Sequence, residues 1–400
     1  MRKVSLRERF HGLAELTHSI CVAKRKTNEY PPPATNHLTF SWEGTMYKRL
    51  FTPGPTQVRP EILKELATPQ IHHRAPEFSE LYADIQVKLQ SVLFTKNAVL
   101  LYTSSSTGAM ESAVTNLVAK RCLNLVNGAF SKRWHEITAA NGVPCDAFEL
   151  PWDTAVKPEM VDEQLSTGKY DAVTLVYNET STGLMNPLKA IAEVVAKYPD
   201  VFLLVDAVSG MAGAPIETDA WDIDFVLAGV QKAFALPAGL AVAAVSERAL
   251  ERAKTVPSRS YYFNIPLMHK SHLKNQTPST PAIPHMFALN AQLNDMLAEG
   301  MEQRFARHEK MAKIVQAWAK KHFDIYPEEG YWSQTLTSIV NTTQIDVPGM
   351  IKRLADEYNL RISNGYGDIK NKTFRIAHMG DTQIDEIQGL LKAIESVLGL

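Results

Sequence analysis

The chain has 400 residues, of which 45% are hydrophobic and 21% are charged. Its 42 Lys and Arg residues nearly balance its 43 Asp and Glu residues, which leaves a formal net charge of -1. These values exclude a disordered, collagen-like or coiled-coil chain, and the balanced charge gives no electrostatic reason to expect nucleic acid as a partner. No apolar run approaches about 18 residues, so we expect no membrane-spanning helix.

The first 45 residues differ from the rest of the chain. They contain many basic residues and three prolines at 31–33, but no sustained apolar segment, which excludes a secretory signal. Acidic residues such as Glu15 argue against an organellar transit peptide. We predict that residues 1–45 are an N-terminal extension, either a flexible arm or the result of a start assigned upstream of a natural start at Met46.

Helical spacing and short apolar runs alternate over the next two hundred residues. The predicted elements are helices at 61–67 and 78–92, a strand at 98–102, a helix at 108–120, a strand at 122–126, a helix at 131–141, a strand at 172–176, a helix at 188–197, and strands at 201–205, 225–228 and 240–245. Continuous apolar runs are typical of strands buried on both faces. The alternation of strand and helix therefore predicts a mostly parallel α/β sheet.

The pattern changes after Pro281. The predicted elements there are a long helix at 284–323, strands at 338–341 and 373–377, and a final helix at 382–398. Because the chain exceeds the usual size of one hydrophobic core, we predict a large α/β domain at 46–300 and a smaller C-terminal α+β domain at 301–400.

Three cysteines, Cys21, Cys122 and Cys145, are too few for a disulfide framework and are not spaced as metal ligands. Reduced, buried thiols are typical of a cytoplasmic protein, which is the location that we predict.

An acid and a lysine follow two of the predicted strands. Asp206 comes directly after an apolar strand, so it either caps the next turn or has a cationic partner. Lys232 has apolar neighbours, so it either extends to solvent or has a lowered pKa, which would make its amine a nucleophile toward an aldehyde. Ligands bind at the carboxyl ends of strands in such sheets. Together the two residues indicate pyridoxal phosphate, which needs a lysine for its aldehyde and a carboxylate for its ring nitrogen.

Two further loops could complete such a site. Residues 103–108 read Thr-Ser-Ser-Ser-Thr-Gly between a predicted strand and a predicted helix. They offer hydroxyls, backbone N–H groups and a helix N-terminus to a phosphate, although a helix cap without a ligand fits the same residues. Phe130 follows another strand and could stack on a ring or belong to the core.

Six motifs in a fixed order make the chain resemble the class V aminotransferases, pyridoxal phosphate enzymes of fold type I. The motifs are Phe-Thr-Pro-Gly-Pro-Thr at 51–56, Thr-Ser-Ser-Ser-Thr-Gly-Ala-Met-Glu at 103–111, Asn-Glu-Thr-Ser-Thr-Gly at 178–183, Val-Asp-Ala-Val-Ser at 205–209, Gln-Lys at 231–232 and Phe-Arg-Ile at 374–376. The resemblance runs from about Leu50 to Leu400 and is nearest to the alanine–glyoxylate and serine–glyoxylate (serine–pyruvate) aminotransferases. It implies a large domain with a mostly parallel sheet and a smaller C-terminal α+β domain.

The resemblance implies roles for the residues around the cofactor ring. Lys232 would bind the cofactor's aldehyde and then move the substrate proton, while Asp206 would pair with the ring nitrogen. Val208 and Phe130 would pack on the two ring faces, and Thr180 would lie near the ring hydroxyl.

The resemblance also implies contacts to the cofactor's phosphate. The residues implied on the same chain are Ser105, Ser106, Thr107 and Gln231. Thr280 matches a position that reaches the phosphate of a neighbouring subunit, which implies a homodimer with shared active sites. Relatives usually have glycine at position 106 and often tyrosine at position 277, so the phosphate loop and one contact between subunits are expected to differ here.

The implied substrate contacts are Arg375, which would bind the α-carboxylate, and the backbone near Gly54, which would close the pocket. The resulting prediction is a ping-pong aminotransferase that moves an amino group from an alanine- or serine-type donor to a 2-oxo acid such as glyoxylate or pyruvate.

Other activities of the same fold stay open. A basic side-chain pocket built from His72, His73 or Arg74 would suit a phosphoserine or 2-aminoethylphosphonate transaminase. A lyase or a desulfurase of this fold is a less favoured alternative. A desulfurase needs a mobile catalytic cysteine, and no cysteine lies in a loop of the predicted small domain. A regulatory, non-enzymatic role would need an appended DNA-binding domain, which residues 1–45 are too short to provide.

Overall fold

The computed structural model describes residues 40–42, 45–257 and 259–400. The predictions for residues 1–39 and for Cys21 therefore lie outside the described residues. At the start of the described part, β1 (Phe40–Trp42) pairs antiparallel with β2 (Thr45–Tyr47).

A seven-stranded sheet forms the centre of the larger part of the fold. Its strands, in spatial order, are β4 (Ala98–Tyr102), β12 (Ala241–Val245), β11 (Phe225–Gly229), β10 (Phe202–Asp206), β7 (Ala172–Val176), β5 (Cys122–Val126) and β6 (Cys145–Glu149). Only β12 is antiparallel to its neighbours, so the other strands all end at one edge. The predicted mostly parallel α/β sheet is confirmed.

Helices cover both faces of this sheet. They are α1 (Pro60–Glu65), α2 (Pro76–Val92), α3 (Ser106–Leu117), α4 (Ala129–Ala140), α5 (Pro158–Leu165), α6 (Leu188–Val195), α7 (Glu247–Thr255), α8 (Ile265–His272) and α9 (Ile283–Glu299). Alternate residues of β4 belong to different cores: Val99 and Leu101 to one, Leu100 and Tyr102 to the other. This two-sided burial explains why the central strands are continuously apolar in sequence.

The C-terminal part has its own sheet and its own core. Its elements are α10 (Met301–His322), β13 (Asp324–Ile325), β14 (Leu336–Val340), α11 (Val347–Glu357), β15 (Leu360–Arg361), β16 (Ser363–Asn364), β17 (Thr373–Ala377) and α12 (Ile384–Leu398). The antiparallel sheet has the order β13-β14-β17-β16, and a separate apolar cluster packs between it and the helices. This arrangement matches the predicted α+β character, while the proposed boundary at residue 300 stays a prediction.

The single long helix predicted over 284–323 is wrong. The chain turns at Gly300, whose φ of +83° is a conformation that favours glycine, and two helices, α9 and α10, result.

Two short pairings complete the structure around the carboxyl edge of the large sheet. β3 (Arg49–Leu50) pairs parallel with β15, and β8 (Asn178–Glu179) pairs antiparallel with β9 (Leu184–Met185). Among the described residues, no helix has both the length and the apolar character needed to cross a membrane.

Candidate active site

Lys232 lies in the loop after β11, at the carboxyl edge of the large sheet. Its side chain is buried, and its Nζ donates a hydrogen bond to the carbonyl oxygen of Pro53. The turn at 53–56 encloses the lysine: Thr56 Oγ1 donates to the Lys232 carbonyl oxygen at 2.9 Å. A Cβ at Gly54, whose φ is +115°, would lie only 2.6 Å from Lys232 Cε. Glycine is thus required here both by its conformation and by the space that the lysine occupies.

The environment of Lys232 favours its neutral amine. Burial lowers the pKa of Lys232 to about 8, with the nearby charge of Asp206 acting in the opposite direction and that of Arg375 adding to the decrease. At pH 7 roughly a tenth of such an amine is unprotonated, far more than for an exposed lysine. The side chain can therefore act as a nucleophile or accept a proton near neutral pH.

Asp206 is the last residue of β10 and is also buried. Its Oδ1 accepts a hydrogen bond from the Val208 N–H at 2.8 Å. Burial raises the pKa of Asp206 to about 7, against the effects of the Val208 hydrogen bond and of the Lys232 charge. The two residues influence each other's pKa without forming a direct ion pair. An acid in this situation would gain from a cationic group placed beside it, such as a protonated ring nitrogen.

Unpartnered polar atoms converge at the start of α3. Ser106 Oγ and Gln231 Oε1 are buried, and neither forms a hydrogen bond with any described residue. They are close to each other, because a Cβ at Gly229 would overlap Ser106 Oγ and lie 2.7 Å from Gln231 Oε1. A buried polar atom without a partner costs about 1–3 kcal/mol, which a bound ligand would recover.

These atoms fit the phosphate of pyridoxal phosphate, because the N-terminus of α3 adds backbone N–H groups and a favourable dipole for an anion. Of the other predicted phosphate residues, Ser105 is exposed at the N-cap of α3 and Thr107 is half-buried in its first turn. Ser106 therefore contributes one of these two unpartnered atoms.

Phe130 lies between Lys232 and a second aromatic ring. Its ring centroid is 5.9 Å from Lys232 Nζ and 5.5 Å from the ring centroid of Tyr366, with 30° between the two ring planes. Arg133 approaches the same pair: its Cζ lies 4.8 Å from the Phe130 centroid, and its Nη2 donates to Tyr366 Oη at 3.2 Å. Val208, predicted for the opposite ring face, is half-buried beside Asp206.

Arg375 projects from β17 into the same region. Its Nε donates to the Asn364 carbonyl oxygen at 3.0 Å and its Nη1 to the Thr180 carbonyl oxygen at 2.9 Å. Its Nη2 forms no hydrogen bond within the described part of the chain, so it is available to a ligand. Burial lowers the pKa of Arg375 to about 10, so the group stays cationic at neutral pH. Thr180 is held in turn by a 2.5 Å hydrogen bond between its Oγ1 and Ser209 Oγ.

Thr280 is not part of this cluster within one chain. It is exposed, in a segment attached to the phosphate loop by a hydrogen bond from Ala282 N to Thr103 Oγ1 at 3.3 Å. Arg74, a candidate for a basic side-chain pocket, instead donates to the carbonyl oxygens of Thr277 and Pro278 at 2.7 and 3.2 Å. Arg74 therefore fixes the segment that leads to Thr280.

The described cysteines lie in the large sheet, away from any small-domain loop. Cys122 and Cys145 are register partners on β5 and β6, and burial raises the pKa of both thiols. Neither thiol has the lowered pKa of a catalytic cysteine, which argues further against a desulfurase.

Three residues at this site are not among those predicted individually from the sequence: Glu179, Arg133 and Tyr366. Arg133 is one helical turn after Phe130, so its position next to that ring could have been expected once α4 was predicted. Glu179 lies inside the motif at 178–183 and is fully buried. Tyr366 had no signal in the sequence, because only the folded chain brings its loop to Phe130.

Comparisons with known proteins agree with this geometry. A model of the family described as aminotransferase class-V matches residues 50–366. The chain is 37% identical to an uncharacterised aminotransferase of Methanocaldococcus jannaschii, over 88% of this chain and 92% of the relative. It is 32% identical to the L-aspartate–glyoxylate aminotransferase of Paracoccus denitrificans, over 84% of this chain and 87% of the relative. The crystal structure of the alanine–glyoxylate aminotransferase of Nostoc sp. is similar with a TM-score of 0.84 and 27% identity, over 88% of this chain and 95% of that one.

Proposed function

Because the chain belongs to the class-V aminotransferase family, we propose that it transfers an amino group from an alanine- or serine-type amino acid to a 2-oxo acid such as glyoxylate or pyruvate. The predictions of an aminotransferase, of fold type I and of pyridoxal phosphate as cofactor are confirmed by the family match and by the similar structures. Its substrates are accordingly an amino acid and a 2-oxo acid.

The observation that supports the proposed roles most strongly is the joint burial of Lys232 and Asp206 at the carboxyl edge of the large sheet, with the buried Arg375 of β17 close enough for its charge to lower the Lys232 pKa. Pyridoxal phosphate, when bound, supplies an aldehyde that exchanges amines and a protonated ring that accepts electrons from the substrate carbon that loses its proton. Asp206 would keep the ring nitrogen protonated, since a cation beside it favours its carboxylate form.

Lys232 and Arg375 would have different roles toward the substrate, proton transfer and carboxylate binding. With a pKa lowered to about 8 by burial, Lys232 can take a proton from the substrate carbon that bears the amine and return it to the carbon on the other side of that nitrogen, two bonds away. Arg375, already oriented by the carbonyl oxygens of Thr180 and Asn364, would bind the substrate carboxylate through its free Nη2. Phe130 and Val208 would hold the ring between them and exclude water from the face where the proton moves.

The acceptor and the donor have different support. The Paracoccus denitrificans and Nostoc sp. proteins both have glyoxylate in their names, which supports glyoxylate as the acceptor here. The donor in those names is aspartate in one and alanine in the other. Phe130 lies 5.9 Å from Lys232 Nζ, with Tyr366 on the side of its ring, and we infer that this aromatic ring restricts the room for a substrate side chain and so favours a small donor.

A second candidate is an acidic donor, and Arg133 is the observation that favours it. Its guanidinium is half-buried against Phe130 and forms no ion pair with any carboxylate in the described part of the chain. Such a cation could bind the second acidic group of aspartate or phosphoserine. The alternative pocket of His72, His73 and Arg74 has less support, because Arg74 is engaged by backbone carbonyls.

A donor panel tests both candidates. Alanine, serine, aspartate, phosphoserine and 2-aminoethylphosphonate would each be mixed with the cofactor-loaded enzyme, and loss of the visible absorbance of the lysine-bound cofactor would be followed in a single turnover. Alanine or serine should react fastest, and glyoxylate or pyruvate should restore the absorbance more efficiently than 2-oxoglutarate. A tenfold preference for aspartate or phosphoserine would contradict the small-donor proposal.

Arg133→Gln separates the two candidates further. If Arg133 binds an acidic side chain, the substitution lowers kcat/KM for aspartate by about 10-fold or more and leaves that for alanine nearly unchanged. Arg121→Gln is a matched control, because its guanidinium pairs with Asp146 at 2.7 Å on another part of the sheet. Equal losses for both donors in Arg133→Gln would remove Arg133 from donor selection.

We also propose a homodimer in which Thr280 of one subunit reaches the cofactor phosphate of the other, and a cytoplasmic location. Thr280 is exposed, and exposed Tyr261 and Leu273 lie on neighbouring segments, as expected of a surface that a second subunit would cover. Sedimentation analysis at micromolar concentration tests the assembly. A monomer with full activity would contradict shared active sites.

A further inference from the structure

Glu179 is a buried carboxylate at the active site for which the chemistry described above has no use. It ends β8, is 0% exposed, and forms no ion pair with any described cation. Burying a carboxylate in this way is costly unless hydrogen bonds compensate. The hydrogen-bond partners of Glu179 therefore indicate what role this residue has in the site.

Five donors surround this carboxylate, and they come from two different loops. From the start of α4, Oε2 receives the backbone N–H of Phe130 at 3.2 Å and of Ser131 at 3.0 Å, together with the Ser131 hydroxyl at 3.1 Å. From the following turn, Oε1 receives the Ser181 N–H at 3.1 Å and the Ser181 hydroxyl at 2.6 Å. The position at the N-terminus of α4 adds a favourable helix dipole. One side chain thus joins two segments that are distant in sequence.

Each of the two segments positions a different part of the site. The first holds Phe130, whose ring lies 5.9 Å from Lys232 Nζ. The second holds Thr180, whose carbonyl oxygen accepts the 2.9 Å hydrogen bond from Arg375 Nη1. The two segments also contact each other directly, since Ala129 N donates to Ser181 Oγ at 3.1 Å. The carboxylate is therefore the common support of the aromatic ring and of the arginine.

The neighbouring glycine is consistent with this role. A Cβ at Gly128 would lie 2.5 Å from Glu179 Cδ and 2.8 Å from its Oε2. The φ of Gly128 is 171°, an extended conformation that any residue adopts, so space rather than backbone conformation requires glycine. The absence of a side chain at Gly128 leaves the space at the start of α4 that the Glu179 carboxylate occupies.

We propose that Glu179 is a positioning residue, which fixes Phe130 relative to the Arg375–Thr180 pair by bonding the start of α4 to the Ser181 turn. The inference rests on the aminotransferase site and not on which donor the enzyme uses. Glutamine at this position would present an amide N–H₂ to N–H donors on one side, so one of the two segments would lose its backbone bonds. The other segment would also loosen, because the two contact each other through the hydrogen bond from Ala129 N to Ser181 Oγ. A shift of about 1 Å in either segment is enough to cost on the order of 10²-fold in rate.

The first test uses the cofactor-free protein and backbone hydrogen exchange. Glu179→Gln should increase exchange in the segments 127–135 and 179–184, because a lost bond frees the amide hydrogens that it held. Asp171→Asn is the matched control. Asp171 is also a buried carboxylate that accepts backbone N–H groups, from Ala119, Lys120 and Arg121 at 2.8–2.9 Å, but it precedes β7 and lies at the opposite edge of the sheet. It should leave exchange in both segments unchanged.

The second test uses the cofactor-loaded enzyme. Glu179→Gln should lower kcat and raise the donor KM, with kcat/KM reduced by about 10- to 100-fold, and should weaken the circular dichroism of the bound cofactor. Asp171→Asn should alter thermal stability but neither kinetic constant. Gly128→Ala should reproduce the Glu179→Gln result, because its Cβ displaces the same carboxylate.

Ser181→Ala keeps the proposal falsifiable if Glu179→Gln does not fold. It keeps the charge and removes only the Ser181 hydroxyl, so it should give a smaller increase of exchange in both segments and a several-fold loss of kcat/KM. Wild-type exchange and kinetics in Ser181→Ala and Gly128→Ala, or an effect of Glu179→Gln limited to stability as in Asp171→Asn, would overturn the proposal.

Discussion

Replacing Asp206 by asparagine is expected to stabilise the cofactor-free protein at alkaline pH while removing most of its activity. Burial raises the pKa of Asp206 from 3.8 to about 7. The folded protein therefore binds this proton more tightly than the unfolded chain does. The contribution of Asp206 to the free energy of unfolding falls as pH rises from about 4 to about 7. Asparagine is neutral at every pH and can still accept the Val208 hydrogen bond.

The size of the effect follows from the shift. The folded and unfolded pKa values of Asp206 differ by about 3 units, and each unit corresponds to roughly 1.4 kcal/mol. The gain in unfolding free energy from asparagine therefore has an upper limit of about 4 kcal/mol, reached above pH 7. At pH 5 the pH is only about one unit above the pKa of the unfolded aspartate, while the folded aspartate is still protonated. The advantage of asparagine in unfolding free energy therefore shrinks to less than about 2 kcal/mol. At pH 9, Lys232 is largely neutral and adds little to the comparison.

Urea unfolding of the cofactor-free wild type and of Asp206→Asn at pH 5 and pH 9 measures this difference. Asp381→Asn is the matched control with the opposite sign. Burial acts against the ionised Asp381, but the Arg304 charge and the Arg59 hydrogen bond outweigh it and lower the pKa, so asparagine should destabilise the protein by about 3 kcal/mol at pH 9. A less stable Asp206→Asn at pH 9, or a gain that does not change with pH, would refute the reasoning. With cofactor, kcat should fall on the order of 10²-fold.

Lys232→Ala should abolish turnover and the visible absorbance of the lysine-bound cofactor; a variant with full activity would contradict the assignment. Arg375→Ala should raise the KM for both substrates by about 10²-fold, because a charge-assisted bond to the carboxylate is lost, and an unchanged KM would place Arg375 outside the pocket. Gly229→Ala should weaken the affinity for pyridoxal phosphate at least about 10-fold, measured by fluorescence titration of the cofactor-free protein, because the new Cβ displaces Ser106 and Gln231. Wild-type affinity would show that this cluster does not bind the phosphate.

Strands that are buried on both faces could be predicted from the sequence, whereas the partly exposed edge strand β6 could not. Strands such as β7 and β10 are apolar throughout because both faces are covered, which gives a clear signal. β6, with the sequence Cys-Asp-Ala-Phe-Glu, is a half-exposed edge strand and was missed because no apolar run marks it. The break at Gly300 was missed because helical spacing continues on both sides of it, and only the φ of that residue separates α9 from α10.

The site was predictable where a charged residue is surrounded by apolar ones. Lys232 and Asp206 stand out in this way, and their chemistry is specific enough to indicate one cofactor. Tyr366 could not be found, because a tyrosine in a loop has no signal until the fold places its ring against Phe130. Glu179 is intermediate: it lies three residues beyond the buried strand β7 and inside a recognised motif, but its neighbours Asn178, Thr180 and Ser181 are polar, so the signal that selected Asp206 is weaker there.

The loop that contains Lys232 shows why several motifs in a fixed order predict the cofactor site, although each motif alone is weak evidence for it. Gln231 and Lys232 are adjacent, so the predicted phosphate contact and the predicted amine are one residue apart on the chain. The turn at 53–56 fixes both, since Thr56 N donates to the Gln231 carbonyl oxygen at 3.1 Å and Thr56 Oγ1 donates to that of Lys232. Asp206 ends β10, and Phe130 lies in the first turn of α4, which follows β5 of the same sheet. The predicted contacts to the phosphate, the aldehyde, the nitrogen and the face of the ring thus come from at least three separate segments, and the order of these segments along the chain is set by the strand connections. A chain with one or two of the motifs could have another use for them, whereas all of them together require a sheet that brings their ends to one edge.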